Sequence, residues 1–304
     1  MQRTQKVYIN HLDRMKPLAF LSLMKMIETE YNGSLPRFDF NDPFGQGMKI
    51  TEKVDGSALR FGLNHRGDVF VESSTSPSMF EVGDFVARDK AKGYDGSIGR
   101  NFDFILQCIQ NDKKLLGALR TFSNHGIKII GEVLFMPMAK AVGDNLVQFI
   151  RIPYRKSNLG RVWTFVPIKV LDENGNRHPD EQCVIQALLD ISSPDRMYVS
   201  PKAKLTHGVI DLTNEIKNIN VNLYELNDVP GLGLIRTLNS RKKADKIAKV
   251  ALKSAVYHHQ EAVRDKILSY VGRGLFGPYI EGLVIEFPDG SMLKVITPEF
   301  KNAR

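Results

Sequence analysis

The chain has 304 residues, of which 42% are hydrophobic and 25% are charged, and its formal net charge is +8. This composition agrees with a soluble, compact protein with a substantial core, in one large domain or two modest ones, and the positive charge favours a polyanionic partner. No apolar run approaches the ~20 residues of a membrane-spanning helix, the N-terminus lacks a secretory pattern, and two cysteines form neither a disulfide framework nor a metal-ligand spacing. We therefore expect a protein of the reducing cytoplasm with no membrane association.

The first half of the chain predicts a helix followed by antiparallel strands. Apolar residues recur at helical spacing within 12–31, and Asn32-Gly33 is typical of a helix end. Residues 36–47 are rich in turn formers. Alternating apolar residues then predict strands at 49–52, 58–63 and 69–72. Two loops and a further helix complete this half: loops at 73–78 and 93–99, and a helix at 101–121.

The second half predicts two long strands and a helical insertion. The strands cover 127–135 and 162–171, and a hairpin-like turn follows at 172–175. Beyond it, the region 175–275 reads as an insertion whose clearest element is a helix or a helix pair from about 239 to about 272. Its basic side chains would either neutralise nucleic-acid phosphates or line a solvated helical face, and they include Lys242, Lys243 and Lys246.

A lysine stands two residues before an Asp-Gly turn in Lys53-Val54-Asp55-Gly56. A lysine amine has an ordinary pKa near ~10.4, so it attacks phosphorus only where burial and neighbouring cations favour the neutral form. Taken alone, the string also fits an ordinary hairpin turn with a solvated lysine. Four further strings follow in chain order: Gly131-Glu132-Val133, Trp163-Thr164-Phe165, Glu281-Gly282-Leu283-Val284-Ile285-Glu286 and Leu293-Lys294-Val295.

This ordered set resembles the covalent nucleotidyltransferases, namely the ATP-dependent polynucleotide ligases and, more distantly, the mRNA capping enzymes. The resemblance implies an α+β fold with an ATP-grasp-like core of two antiparallel sheets flanked by helices. It implies one adenylyltransferase domain over 1–304 that contains the 175–275 insertion and lacks a C-terminal oligonucleotide-binding barrel.

By the same resemblance, Lys53 attacks the α-phosphate of ATP, releases pyrophosphate and carries AMP as a lysyl phosphoamide. The residues expected around the nucleotide are Glu52, Asp55, Gly56, Arg60, Glu132, Phe165, Glu281 and Lys294. Glu132 and Glu281 are also expected to hold Mg²⁺ or Mn²⁺, because carboxylate oxygens suit these cations. Acids on the wet face of an edge strand are the alternative.

Several of these assignments carry an alternative in the sequence itself. Trp163 and Phe165 share a strand face, so either ring could stack on adenine, and either could be a core aromatic. Arg60 stands seven positions after Lys53, whereas the DNA ligases have an arginine at five, and a surface hairpin arginine is equally compatible. Ile296 occupies the place of the second lysine in the last DNA-ligase motif, and the ending from Leu293 to Phe300 instead resembles RNA-ligase-like proteins.

The resemblance predicts an ATP-dependent RNA ligase that joins 5′-phosphate and 3′-hydroxyl ends with Mg²⁺ or Mn²⁺. RNA is the preferred substrate because of the C-terminal ending and the missing barrel. We expect a cytoplasmic monomer, and a small stand-alone ligase suits a virus or phage genome. The alternatives are a DNA ligase that seals nicks, a GTP-using capping guanylyltransferase, and an inactive nucleic-acid-binding relative.

Overall fold

The computed structural model describes residues 9–35, 49–123, 126–135, 162–193, 195–199, 209–219, 245–270, 280–288, 290–298 and 300. The chain forms two units. The first comprises Met1–Lys53, Lys204–Gly274 and Ile280–Arg304, and the second comprises Val54–Ala203 and Leu275–Tyr279. The boundary between Lys53 and Val54 divides the Lys-x-Asp-Gly motif, so Lys53 belongs to the first unit and Asp55 to the second.

The described strands, in chain order, are β1 (Ile9–His11), β2 (Ser34–Leu35), β3 (Lys49–Lys53), β4 (Ser57–Leu63), β5 (Val69–Ser73), β6 (Ile127–Phe135), β7 (Trp163–Asp172), β8 (Met197–Val199), β9 (Ile210–Asp211), β10 (Gly282–Glu286) and β11 (Met292–Ile296). The helices include α1 (Pro17–Tyr31), α2 (Asp84–Ala91), α3 (Ser97–Asn111), α4 (Lys113–Phe122), α5 (Glu181–Asp190) and a long helix (Asp245–Ser269). None of the helices in this described part is long and apolar enough to cross a bilayer.

The first unit is built on a four-stranded sheet in the order β1-β11-β10-β3. Its pairs are antiparallel except for β1 and β11, which run parallel at one edge. One face of the sheet shares a core with α1 and the long helix, through side chains that include Leu283, Ile285, Leu293, Val295, Phe20, Ile27, Val263 and Ile267. Helix α1 ends at Tyr31, where the sequence predicted, and its C-cap Asn32 has a left-handed φ of 51°.

The second unit is built on a five-stranded sheet in the order β5-β4-β6-β7-β8. Only β7 and β8 pair in parallel within it. One face packs against helices α3, α4 and α5, through side chains that include Leu59, Phe61, Ile129, Val133, Ile105, Leu106, Leu119 and Val184. The predicted α+β class, with two mainly antiparallel sheets flanked by helices, is confirmed.

The predicted helix over 101–121 is two helices. Asp112 separates α3 from α4, because its side chain accepts hydrogen bonds from the backbone N–H groups of Lys114 and Leu115 and so caps a new helix. The predicted loop at 93–99 ends earlier than expected, since α3 begins at Ser97. The turn-rich residues 36–47 lie outside the described part, and the single domain with an insertion over 175–275 stays a prediction.

Candidate active site

Lys53 and Glu281 form a buried ion pair. Lys53 is the last residue of β3, and its ammonium nitrogen lies 2.5 Å from a carboxylate oxygen of Glu281. Only 9% of Lys53 and 6% of Glu281 is exposed. Charges that leave water need a partner, so each side chain offsets the desolvation cost of the other. The structure therefore brings together two residues that the motifs singled out separately.

Residue 282, which follows Glu281, must be glycine because β10 and β11 approach closely there. A Cβ atom at this position would lie 1.9 Å from the backbone oxygen of Val295 in β11, so no larger residue fits without a shift of the backbone. Gly282 also lies directly opposite Lys53 in the sheet. Opposite residues share a face, so the strand position beside the lysine carries no side chain.

Lys294 lies on the same sheet face as Lys53. In the register of the sheet, Lys294 is opposite Val284, and Val284 is opposite Thr51 on β3. Thr51 and Lys53 are two residues apart on β3, so their side chains point to the same face. Across the parallel edge pair, Lys294 is also opposite His11. This face is the one away from the core shared with α1 and the long helix, so it is available for polar chemistry.

His11 is a member of this face that the sequence did not single out. Burial is the main cause that lowers the pKa of its imidazole, and the charges of Lys294, Arg14 and Lys53 lower it further, while Asp13 opposes them. Nothing in the sequence indicated that His11 belongs to this face, because the parallel pairing of β1 with β11 joins two distant segments of the chain. Only the structure places this histidine beside Lys294.

Glu52 does not join Lys53 on this face. Neighbouring residues of a strand point to opposite sides, and Glu52 lies opposite Leu283, a residue of the first unit's core. Only 2% of Glu52 is exposed. The structure therefore places this carboxylate on the core side of the sheet, and its predicted contact with a nucleotide is not supported by the orientation of β3.

Gly56 lies against the strand that carries Glu132. It is not among the glycines with a positive φ. The reason for a glycine here is steric: a Cβ atom would lie 2.6 Å from the backbone oxygen of Val133 and 3.2 Å from the Cβ of Glu132. The second unit thus joins the turn after Asp55 to the Gly-Glu-Val motif.

Arg60 and Glu132 lie on one polar face of the second unit's sheet, opposite its core. Glu132 is half-buried and lies opposite Ala58 and Val166. Arg60 is half-buried on β4, an interior strand that lies between β5 and β6 and forms a hairpin with β5.

The same polar face carries charged residues that the sequence analysis did not select. Glu72 lies opposite Arg60, and its carboxylate is 3.8 Å from the Arg60 guanidinium and 2.9 Å from the Lys128 ammonium. Ser78 donates a 2.7 Å hydrogen bond to Glu72. Lys169 is buried with 7% exposure, opposite Ile130. Its signal in the sequence was a single lysine within the apolar run of β7.

The structure places Phe165 in the core, which corrects the prediction that its ring stacks on adenine. Phe165 has no exposed surface, and its ring packs edge-on against Phe61 at a centroid distance of 5.1 Å. Trp163 is equally buried, so the core alternative holds for both rings. The opposite face of β7 presents Thr164 and Val166, neither of which is aromatic.

The remaining predicted residues are not brought into this site. Lys242 and Lys243 lie outside the described residues. Lys246 lies in the long helix, and its side chain is outside the described part. Glu132 and Glu281 belong to different units, and no group of three or more metal-ligating side chains occurs among the residues that the structure describes.

No family model and no curated protein matches this sequence. Several solved structures of an RNA ligase from Naegleria gruberi are similar to the chain. A complex with pyrophosphate has 14% identity and a TM-score of 0.46 over 99% of this chain and 62% of that chain. A variant in complex with AMP and manganese has 13% identity and a TM-score of 0.46 over 99% of this chain and 62% of that chain. A variant in complex with ATP and manganese has 12% identity and a TM-score of 0.45 over 91% of this chain and 54% of that chain. This chain thus spans between 54% and 62% of the length of those ligases.

Proposed function

We propose that this chain is an ATP-dependent RNA ligase that joins 5′-phosphate and 3′-hydroxyl ends through an AMP carried on Lys53. The observation that carries the proposal is the buried pair of Lys53 and Glu281 at 2.5 Å. A buried ion pair is seldom the most stable choice at a position, because packed apolar side chains of similar volume often stabilise as well or better. Desolvated lysines, by contrast, serve as nucleophiles.

In the first step, the amine of Lys53 forms a bond to the α-phosphorus of ATP while the bond from that phosphorus to the bridging oxygen breaks. Pyrophosphate leaves with the bonding electrons. The amine must lose its proton before it attacks, and Glu281, 2.5 Å away, is the proposed acceptor. Gly282 places no side chain opposite the lysine on the neighbouring strand.

The later steps transfer the same AMP. The 5′-phosphate of one strand attacks the phosphorus and displaces Lys53, and the 3′-hydroxyl of the other strand then attacks that 5′-phosphate and releases AMP. Lys294 on the first unit and Arg60 on the second are the cations proposed to contact phosphate oxygens. We propose a monomer that acts in the cytoplasm.

Mg²⁺ or Mn²⁺ suits the two carboxylates proposed as its ligands, one from each unit. Magnesium is commonly bound through one or two carboxylates, with phosphate oxygens and water completing its shell, so a cluster of three protein ligands is not required. Glu132 and Glu281 are the proposed carboxylates. When bound, the cation would neutralise charge on the phosphate oxygens.

The test is incubation of the full chain with α-labelled ATP or GTP and Mg²⁺ or Mn²⁺. We expect an acid-labile label on the protein with ATP that is lost in Lys53→Ala and kept in Lys49→Ala, a control at the other end of β3. Sealing is then compared on nicked DNA, nicked RNA duplex and single-stranded RNA. Absence of an adduct with either nucleotide, or an adduct that persists in Lys53→Ala, would overturn the proposal. A GTP adduct would favour the capping alternative.

A further inference from the structure

His11, Lys294 and Lys53 form a row of nitrogen-bearing side chains across one face of the first unit's sheet. They stand on β1, β11 and β3, and the strand order places β10 between the two lysines. Three strand spacings of about 4.8 Å and an offset of two residues along the strands place the backbones of Lys53 and His11 about 16 Å apart. The charges of Lys53 and Lys294 both act on the His11 imidazole, so phosphates held between the two lysines would also lie near His11.

The imidazole of His11 is partly buried among charged side chains, although β1 is an edge strand of the described sheet. Its Nδ1 atom has almost no accessible surface and no hydrogen-bond partner among the described residues. The charged groups around the ring come from three elements: Lys294 on β11, Lys53 on β3, and Asp13 and Arg14 on the 3-10 turn that follows β1. Cations outnumber the one acid in this set.

That setting favours a polyanion. The pKa of His11 lies below its ordinary value because burial and the neighbouring cations disfavour the imidazolium. A bound polyphosphate would offset those cations and favour proton uptake by the ring. Because Nδ1 is buried, the imidazolium would donate its charge-assisted hydrogen bond to a phosphate oxygen from Nε2.

We propose that His11 binds the terminal phosphates of the nucleoside triphosphate, which leave as pyrophosphate when Lys53 is adenylylated. This inference rests on the proposed function and extends it to the leaving group. The bond changes are those of the first step, and His11 donates a hydrogen bond without forming a covalent bond. The proton that it takes up on binding comes from solvent and returns there when pyrophosphate departs.

The role predicts a selective defect. Lys53 and Lys294 remain in His11→Ala and in His11→Gln, so AMP, which lacks the terminal phosphates, should bind as before. Pyrophosphate and ATP should bind about ten-fold more weakly, the size expected for loss of one charge-assisted hydrogen bond. Sealing of a strand that already carries AMP on its 5′-phosphate should keep its rate, because that step uses no triphosphate.

The experiment is calorimetric titration of the full chain with pyrophosphate and, separately, with AMP. His259→Gln is the matched control, since His259 is a half-buried histidine of the same unit whose pKa is also lowered by burial. Titrations in buffers of different ionisation enthalpy count protons taken up on binding. We expect proton uptake near neutral pH in the wild type and in His259→Gln, and less uptake in His11→Gln.

Equal affinities of wild type and His11→Gln for pyrophosphate, or an equal loss for AMP and pyrophosphate, would overturn the inference. Should the His11 variants fail to fold, absence of proton uptake by the wild type on binding pyrophosphate would overturn it equally. The two proposals fail separately. A Lys53 adduct together with unchanged pyrophosphate binding in His11→Gln removes only the role of His11, whereas His11-dependent pyrophosphate binding without any adduct removes the ligase activity.

Discussion

Gly131 lies against the ring of Phe165, and a Cβ atom at residue 131 would come within 2.3 Å of that ring and of the backbone oxygen of Val166. The glycine of the Gly-Glu-Val motif is therefore needed for packing. It lets the Phe165 ring fill the core while its neighbour Glu132 lies on the opposite, polar face of β6.

We predict that Gly131→Ala lowers the free energy of unfolding by about 2 kcal/mol, because the added methyl group forces the Phe165 ring or β7 to move. Chemical denaturation measures this change. Gly117→Ala in α4 is the control, since nothing lies within 4 Å of a Cβ there, and alanine favours a helix. Relief of the Gly131→Ala defect by Phe165→Leu would support the stated cause, and equal stability of the two alanine variants would contradict it.

Replacement of Glu281 by glutamine should separate stability from chemistry. Glu281→Gln leaves the Lys53 ammonium buried without its carboxylate, so we expect a loss of about 3 kcal/mol in unfolding free energy together with loss of the AMP adduct. The double variant Lys53→Met, Glu281→Leu should recover most of that stability and form no adduct. A Glu281→Gln protein as stable as the wild type would show that the pair contributes little to the fold.

Acid should destabilise the protein partly through His11. The folded chain holds the pKa of His11 below the ordinary value of 6.5, so the unfolded chain binds more protons between the two values. The free energy of unfolding therefore falls as the pH is lowered through about 6.5. Above that pH, His11 is neutral in both the folded and the unfolded chain and causes no such loss. Unfolding curves at several pH values should show a smaller fall in His11→Gln than in the wild type. Parallel curves for the two proteins would contradict this.

The two cysteines should differ in reactivity. Burial, with a smaller effect of Asp112, raises the pKa of Cys108 to about 11, whereas Cys183 is exposed. Only the thiolate reacts with alkylating agents, so near pH 8 we expect labelling of Cys183 and protection of Cys108 in the folded chain. Peptide mapping by mass spectrometry distinguishes them, and denaturant should make both react. Equal labelling in the folded chain would contradict the burial of Cys108.

Local patterns predicted most strands, because half-buried strands alternate apolar and polar residues. The predicted strand 127–135 matches β6, and 162–171 differs from β7 by one residue at each end. Helix α2 was not predicted, since Phe85 is its only buried residue and it therefore has no apolar stripe. Single polar residues such as Asp112 decide where one helix ends and another begins, and a periodic pattern does not reveal this.

The candidate site was harder to predict, because pairing between distant strands defines it. The sequence identified Lys53, Glu281 and Lys294, and their shared placement in the first unit's sheet follows from the order β1-β11-β10-β3. It did not reveal His11, whose parallel pairing with Lys294 has no local signature. It also assigned Phe165 to the nucleotide, since an aromatic residue on a strand looks the same whether its ring faces a ligand or a core.

The most direct test is intact-mass analysis of the wild-type chain after incubation with ATP and Mg²⁺, followed by peptide mapping. The account predicts a mass gain of one AMP, attached to the Lys53 side chain, removed by added pyrophosphate and missing in Lys53→Ala. A chain that binds ATP yet gains no mass under these conditions, or that carries AMP on another residue, would contradict it.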